Sequence, residues 1–150
     1  MSPLRTLRCR TVAEGRFRQM NYVRDLPPLL VDEMSGIPGA DGAAEPLEFL
    51  LSALGSCLAA GLWANALARS IMLSKLELEV AADIAAAPRD AARPEPIGFD
   101  EVRVTVHLEA DAPREALAAL VAHAALWSPV ANTLHNGVHL EVALASPGRA

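Results

Sequence analysis

The chain has 150 residues, enough for one domain with a real core, and its 52% hydrophobic content excludes a disordered protein. Only 4% of residues are aromatic, so the core is expected to be built from Ala, Leu and Val. A net charge of −5 argues against nucleic acid as the principal partner.

In chain order, Leu4 to Val12 alternates weakly as a half-buried strand, with Leu7, Cys9 and Thr11 on one face and Arg8 and Arg10 on the other. Glu14-Gly15 predicts a turn, and Arg16 to Tyr22 a return strand, with Phe17, Gln19 and Asn21 against Arg16, Arg18 and Tyr22. Leu26-Pro27-Pro28 ends that strand, because proline cannot donate to a ladder. Leu29 to Asp32 reads as a third strand, and Ser35 to Ala44 as a glycine-rich loop. Gly36, Gly39 and Gly42 do not make a phosphate cradle, since no Lys-Ser/Thr pair follows them.

A helix is expected from Pro46 to about Ser70, proline being well tolerated in a first turn. Leu47, Leu50, Leu51, Leu54, Leu58 and Leu62 recur at steps of three and four, and Cys57 falls on that stripe. Glu48 lies nine residues before Cys57, which places the two on opposite helical faces. Phe49 to Ala68 carries no charge over twenty residues, long enough to span a bilayer. Ser52, Gly55, Ser56, Gly61 and Asn65 dilute it, so a soluble core helix and no membrane is the expectation.

Lys75 to Ile84 and Val102 to Leu108 alternate as strands, joined by the Pro- and Ala-rich connector Ala86 to Pro96. Asp111 is the expected N-cap of a second helix with Pro113 in its first turn and Leu117, Leu120, Val121 and Ala124 facing inward. Ser128-Pro129 opens a short helical turn, with Ser128 as its N-cap. Asn136-Gly137 then turns into a final strand carrying Val138, Leu140, Val142 and Leu144. The fold class is α+β with antiparallel sheet, and residues 1–150 form a single domain.

Cys9 and Cys57 make no disulfide framework, and no Cys/His cluster has metal-ligand spacing, so no metal or cofactor is expected. His107, His123, His135 and His139 are scattered, and His123 has no evident catalytic task. Nothing in the spacing of Asp111, His123 and Ser128 supports a hydrolase triad. The arginine-bearing N-terminus lacks the apolar core of a signal peptide, so a reducing cytoplasm is expected.

Three segments carry a resemblance over nearly the whole chain: the glycine-rich loop leading to Pro46-Leu-Glu48, then Leu54-Gly-Ser-Cys57, then Ser128-Pro-Val-Ala-Asn-Thr-Leu134. Together they resemble the OsmC/Ohr family of thiol-dependent hydroperoxide reductases. The resemblance implies an intertwined homodimer in which antiparallel sheets wrap long central helices. It assigns Cys57 the role of peroxidatic thiolate, assisted by a glutamate and an arginine. Glu48 is the available carboxylate, one position off the family's pattern. Arg16 is the first choice of arginine, with Arg18 and Arg24 as alternatives.

Ser128 stands where the family's resolving cysteine belongs, and a hydroxyl cannot form a disulfide. The resemblance therefore implies either a reductase of organic hydroperoxides recycled by an external thiol or dithiol, or a non-catalytic relative. The latter would bind a small apolar or electrophilic ligand in the same interface pocket. Cys9, on the first strand, is a further candidate for the second thiol.

Overall fold

The structure is a computed structural model that describes residues 3–15, 17–32, 42–84 and 97–145. The chain parts into two compact units, Met1–Ala53 and Leu54–Ala150. Both contain antiparallel sheet and they share one long helix, which makes the fold α+β.

The first unit holds a three-stranded meander, β1 (Arg10–Ala13), β2 (Gln19–Tyr22) and β3 (Leu29–Val31), in the order β1-β2-β3. Its first hairpin is closed by the Glu14 N–H, which donates to the Arg18 carbonyl at 2.8 Å. Gly15 supplies the turn with φ 138°, a backbone open to glycine and strained for other residues. Cross-strand pairs hold the register. Arg10 lies opposite Tyr22 with its guanidinium 4.4 Å from the ring centroid, and Thr11 Oγ1 donates to Asn21 Oδ1 at 2.6 Å. The expected strand from Leu4 forms only from Arg10 onward. A ladder extends no further than its partner, and β2 is four residues long, so Leu4 and Leu7 are left exposed. The glycine-rich stretch 35–41 and the connector 86–96 lie outside the described residues.

α1 (Pro46–Ala68) runs for 23 residues. Within the second unit it buries Leu54, Leu58, Leu62 and Ala66, a single stripe at four-residue steps. The helix ends on a left-handed Ser70 (φ 56°), with the Ile71 N–H reaching back to the Ala66 carbonyl at 2.8 Å. β4 (Leu73–Ile84) and β5 (Phe99–Ala110) pair antiparallel, with Leu78 opposite Val106 and Val80 opposite Val104. Those apolar side chains alternate with the exposed, charged face that the period-two pattern requires. Leu62, Ala66, Leu73, Leu120 and Ala124 form the core, with Leu76, Leu78, Val106 and Leu108 packed against it.

α2 (Arg114–Trp127) turns Leu120 and Ala124 inward as expected, but Asp111 does not cap it. The N-cap is Pro113, which offers no side-chain acceptor, and Asp111 stands two residues too early to reach the N2 or N3 amide. α3 (Pro129–Asn136) follows at an angle of 60° and ends at Gly137, φ 69°. The expected final strand does not form: residues 138–145 are in no strand, and Val138, Leu140, Val142 and Leu144 are exposed. An alternating segment becomes a strand only when an edge receives it, and none of the described edges does.

Candidate functional site

The second unit brings Cys57 and Ser128 together. Cys57 is half-buried beside the inward stripe of α1, and Ser128 is buried at the joint between α2 and α3. The Ser128 hydroxyl accepts the Ala131 N–H at 3.2 Å, the N-cap bond expected of a serine before proline. Its own proton is directed to Cys57 Sγ, 3.2 Å away. The cap thus fixes the hydroxyl, and the fixed hydroxyl presents a donor to the sulfur.

Cys57 and Ser128 line one end of a cleft of about 470 Å³. Its walls are small, because Gly61 comes close to Ala124: a Cβ on Gly61 would lie 3.7 Å from that of Ala124. Asn65, eight residues after Cys57, and His123 also line the cleft. The Asn65 side-chain amide is hydrogen-bonded to His123 Nδ1. The His123 ring rests near Trp127, with centroids 6.0 Å apart. Sequence reasoning assigned His123 no role and passed over Asn65 except as a polar dilution of the helix. The signal available was spacing: Cys57, Gly61 and Asn65 fall at i, i+4 and i+8 on one helical face.

The other expected site residues belong to the first unit, where Glu48, Arg18 and Arg24 each have a local bond or turn. Glu48 is exposed, and its Oε2 accepts the Glu45 N–H at 2.9 Å, one half of a capping box at the start of α1. Arg18 lies 3.6 Å from the buried Asp32 carboxylate. Arg24 occupies a left-handed turn position, φ 52°, after β2. Arg16 lies outside the described residues. Cys9 is exposed. The triad weighed from composition is absent from this site: Ser128 bonds Cys57 and His123 bonds Asn65. Among the described residues no three His, Cys, Asp or Glu side chains are grouped as metal ligands.

α1 is long and apolar enough to cross a membrane by length and composition, yet 17% of its apolar window is buried within the chain. Leu50, Trp63 and Leu67 are the large apolar side chains of α1 that are exposed.

The family model for OsmC-like proteins matches residues 39–143. Comparison with curated proteins finds no match. Among solved structures, the chain is similar to an OsmC-like protein from Mycoplasma pneumoniae at 20% identity and a TM-score of 0.74, covering 89% of each chain. An organic hydroperoxide resistance protein OsmC from Legionella pneumophila is 20% identical with a TM-score of 0.63, covering 89% of this chain and 92% of its own. An organic hydroperoxide resistance protein from Elizabethkingia anophelis is 16% identical with a TM-score of 0.69, covering 91% of this chain and 93% of its own. These likenesses bear on the fold, and with the family match over most of its length the chain belongs to the OsmC-like family.

Proposed function

We propose that the protein is a cysteine-dependent reductase of organic hydroperoxides, with Cys57 as the reacting residue and an external thiol or dithiol as the reductant. The observation that carries this reading is the Ser128 hydroxyl directed at Cys57 Sγ, at the end of an accessible cleft. The names of the Legionella and Elizabethkingia proteins lend it support. In the reaction, sulfur attacks the distal peroxide oxygen and the O–O bond breaks. The sulfur leaves as sulfenic acid and the departing alkoxide takes the thiol proton to become an alcohol. One external thiol then displaces water from the sulfenic acid to give a mixed disulfide. A second releases Cys57 as thiol and departs as the oxidised disulfide. Ser128 supplies a hydrogen bond where the family's second cysteine would supply a resolving sulfur.

The assembly that fits this reading is the family's intertwined homodimer, each chain a single domain, with sheets wrapped around paired α1 helices. Leu50, Trp63 and Leu67 on α1 and the alternating segment 138–145 are exposed in the single chain, as such a partner requires. Such a dimer would be soluble and cytoplasmic, with no metal or cofactor and no call on nucleic acid or membrane. The arginine and carboxylate of the reaction remain Arg16, Arg18 or Arg24 and Glu48. The alternative, a non-catalytic ligand-binding relative, draws on the serine at position 128, where the family's second thiol belongs, and on the apolar walls of the cleft.

The deciding experiment adds stoichiometric organic hydroperoxide and traps the product with a dimedone-type reagent. The reductase reading expects a Cys57 adduct in the native protein. In Ser128→Cys it expects a 57–128 disulfide in place of the adduct, because the Ser128 Oγ lies 3.2 Å from Cys57 Sγ. Reaction no faster than that of a free thiol would favour the binding reading instead.

A further inference from the structure

The reductase reading uses one end of the cleft and leaves the other, Asn65 and His123, without a task. With its amide N–H donating to Nδ1, Asn65 leaves the imidazole proton on Nε2, where the ring has no partner among the described residues. Trp127, with ring planes 32° from those of His123, supports the imidazole from one side. His123 precedes Ser128 by five residues, about 7 Å along α2 at a rise of about 1.5 Å per residue. Ala60, Gly61, Ala64 and Ala124 also line the cleft, all small and apolar. Among the described residues that line the cleft none is Asp, Glu, Lys or Arg, so an ionised carboxylate at the His123 end would meet no counter-charge from them.

We infer that His123, oriented by Asn65, is a specificity-determining hydrogen-bond donor. It selects uncharged organic hydroperoxides that carry a carbonyl oxygen a short aliphatic linker away from the peroxide. The peroxide meets Cys57 and Ser128, the linker lies along the alanines and Gly61, and the carbonyl oxygen accepts from His123 Nε2–H. Trp127 covers the linker. This inference rests on the reductase reading for its substrate, but the carbonyl end of the cleft is testable without turnover.

The kinetic test compares an ester-bearing alkyl hydroperoxide with an alkyl hydroperoxide of the same length lacking the ester. One neutral hydrogen bond should favour the ester in kcat/KM by roughly five- to tenfold. His123→Leu should bring the ratio to about one, and His123→Gln, which retains an N–H donor, should restore part of it. A ratio of one in the native protein, or the native ratio persisting in His123→Leu, overturns the inference.

The binding test titrates the corresponding peroxide-free ester into Cys57→Ser protein and follows the His123 ring protons by NMR. Saturable shifts that are lost for the matched alkane support the site even if Cys57 proves inert to peroxide. Absence of any His123 shift overturns it even if Cys57 is reactive. The two readings therefore fail separately.

Discussion

Cys9 and Cys57 place the same thiol in two different surroundings. Cys9 lies in the extended segment ahead of β1, exposed, beside a cavity of about 530 Å³ that Thr11, Asn21, Val31 and Phe49 also line. The Thr11 hydroxyl donates to Asn21 Oδ1 and the Asn21 amide donates to the Leu29 carbonyl, so neither donor is directed at that sulfur. Cys57 is less exposed, yet it faces a hydroxyl whose position is set by a helix cap. Accessibility and a preorganised donor are thus divided between the two thiols. A reactive cysteine is marked by its surroundings more than by its exposure.

Replacing Cys57 is the sharpest way to break this comparison. Cys57→Ser should abolish hydroperoxide-dependent oxidation of an added dithiol, a loss of more than about a hundredfold if the sulfur is the nucleophile. Cys9→Ser should leave the turnover at the native level. Steady-state peroxide consumption checks both, and comparable losses in the two variants would put Cys9 into the cycle.

The next largest effect is on stability. Leu120 is fully buried in the core that holds α2 beside α1, whereas the corresponding layer under Cys9 is a thin meander. Leu120→Ala should cost about 2–5 kcal/mol through lost contacts and a residual cavity. Denaturant titration with an unchanged m-value measures it. A loss below 1 kcal/mol would mean that the helices of the Cys57 site collapse readily onto the gap.

Ser128→Ala removes the cap and the donor to sulfur in a single step. Loss of the cap should lower stability by about 1 kcal/mol. Loss of the donor should slow sulfenic acid formation in stopped-flow mixing without altering the product trapped. A native rate in Ser128→Ala would reduce Ser128 to a helix cap.

Much of this site was legible in the sequence, because Cys57 and the Ser128-Pro129 cap are local signals. Leucine periodicity located α1, and the cap rule located the start of α3. The partnership of Asn65 with His123 was not legible, since 58 residues separate them and their meeting depends on Gly61 admitting Ala124. Strand ends were misread for a related reason. Alternation in 4–9 and 138–145 expresses a preference for a sheet face, and the ladder that realises it must come from elsewhere. Asp111 illustrates a finer limit: a good capping residue two positions early caps nothing. The Arg18–Asp32 pair likewise depended on which strand β3 would join.

The smallest expected effect contrasts the cleft with the outer face of the β4–β5 hairpin. Arg103 Nη1 lies 2.5 Å from Asp83 Oδ2 and 2.6 Å from Glu101 Oε2, both shorter than the Ser128–Cys57 contact. Those side chains are nevertheless 46%, 61% and 64% exposed, so water and salt compete for every charge. The hydrogen bond from Arg103 is the main reason that the Asp83 carboxyl titrates below its ordinary 3.8, and the guanidinium's charge adds to it. A carboxyl pKa depressed by folding contributes stability above the unfolded value, and that contribution is lost as pH falls through the folded one. Asp83→Asn should therefore lower Tm slightly at neutral pH in low salt. The difference should shrink as pH falls below the ordinary carboxyl value of 3.8 and vanish once the native carboxylate is also protonated, and it should vanish in about 1 M salt. Thermal melts over that pH range check the sign. A deficit in Asp83→Asn that survived both acid and salt would show that the Asp83 side chain acts through packing rather than charge.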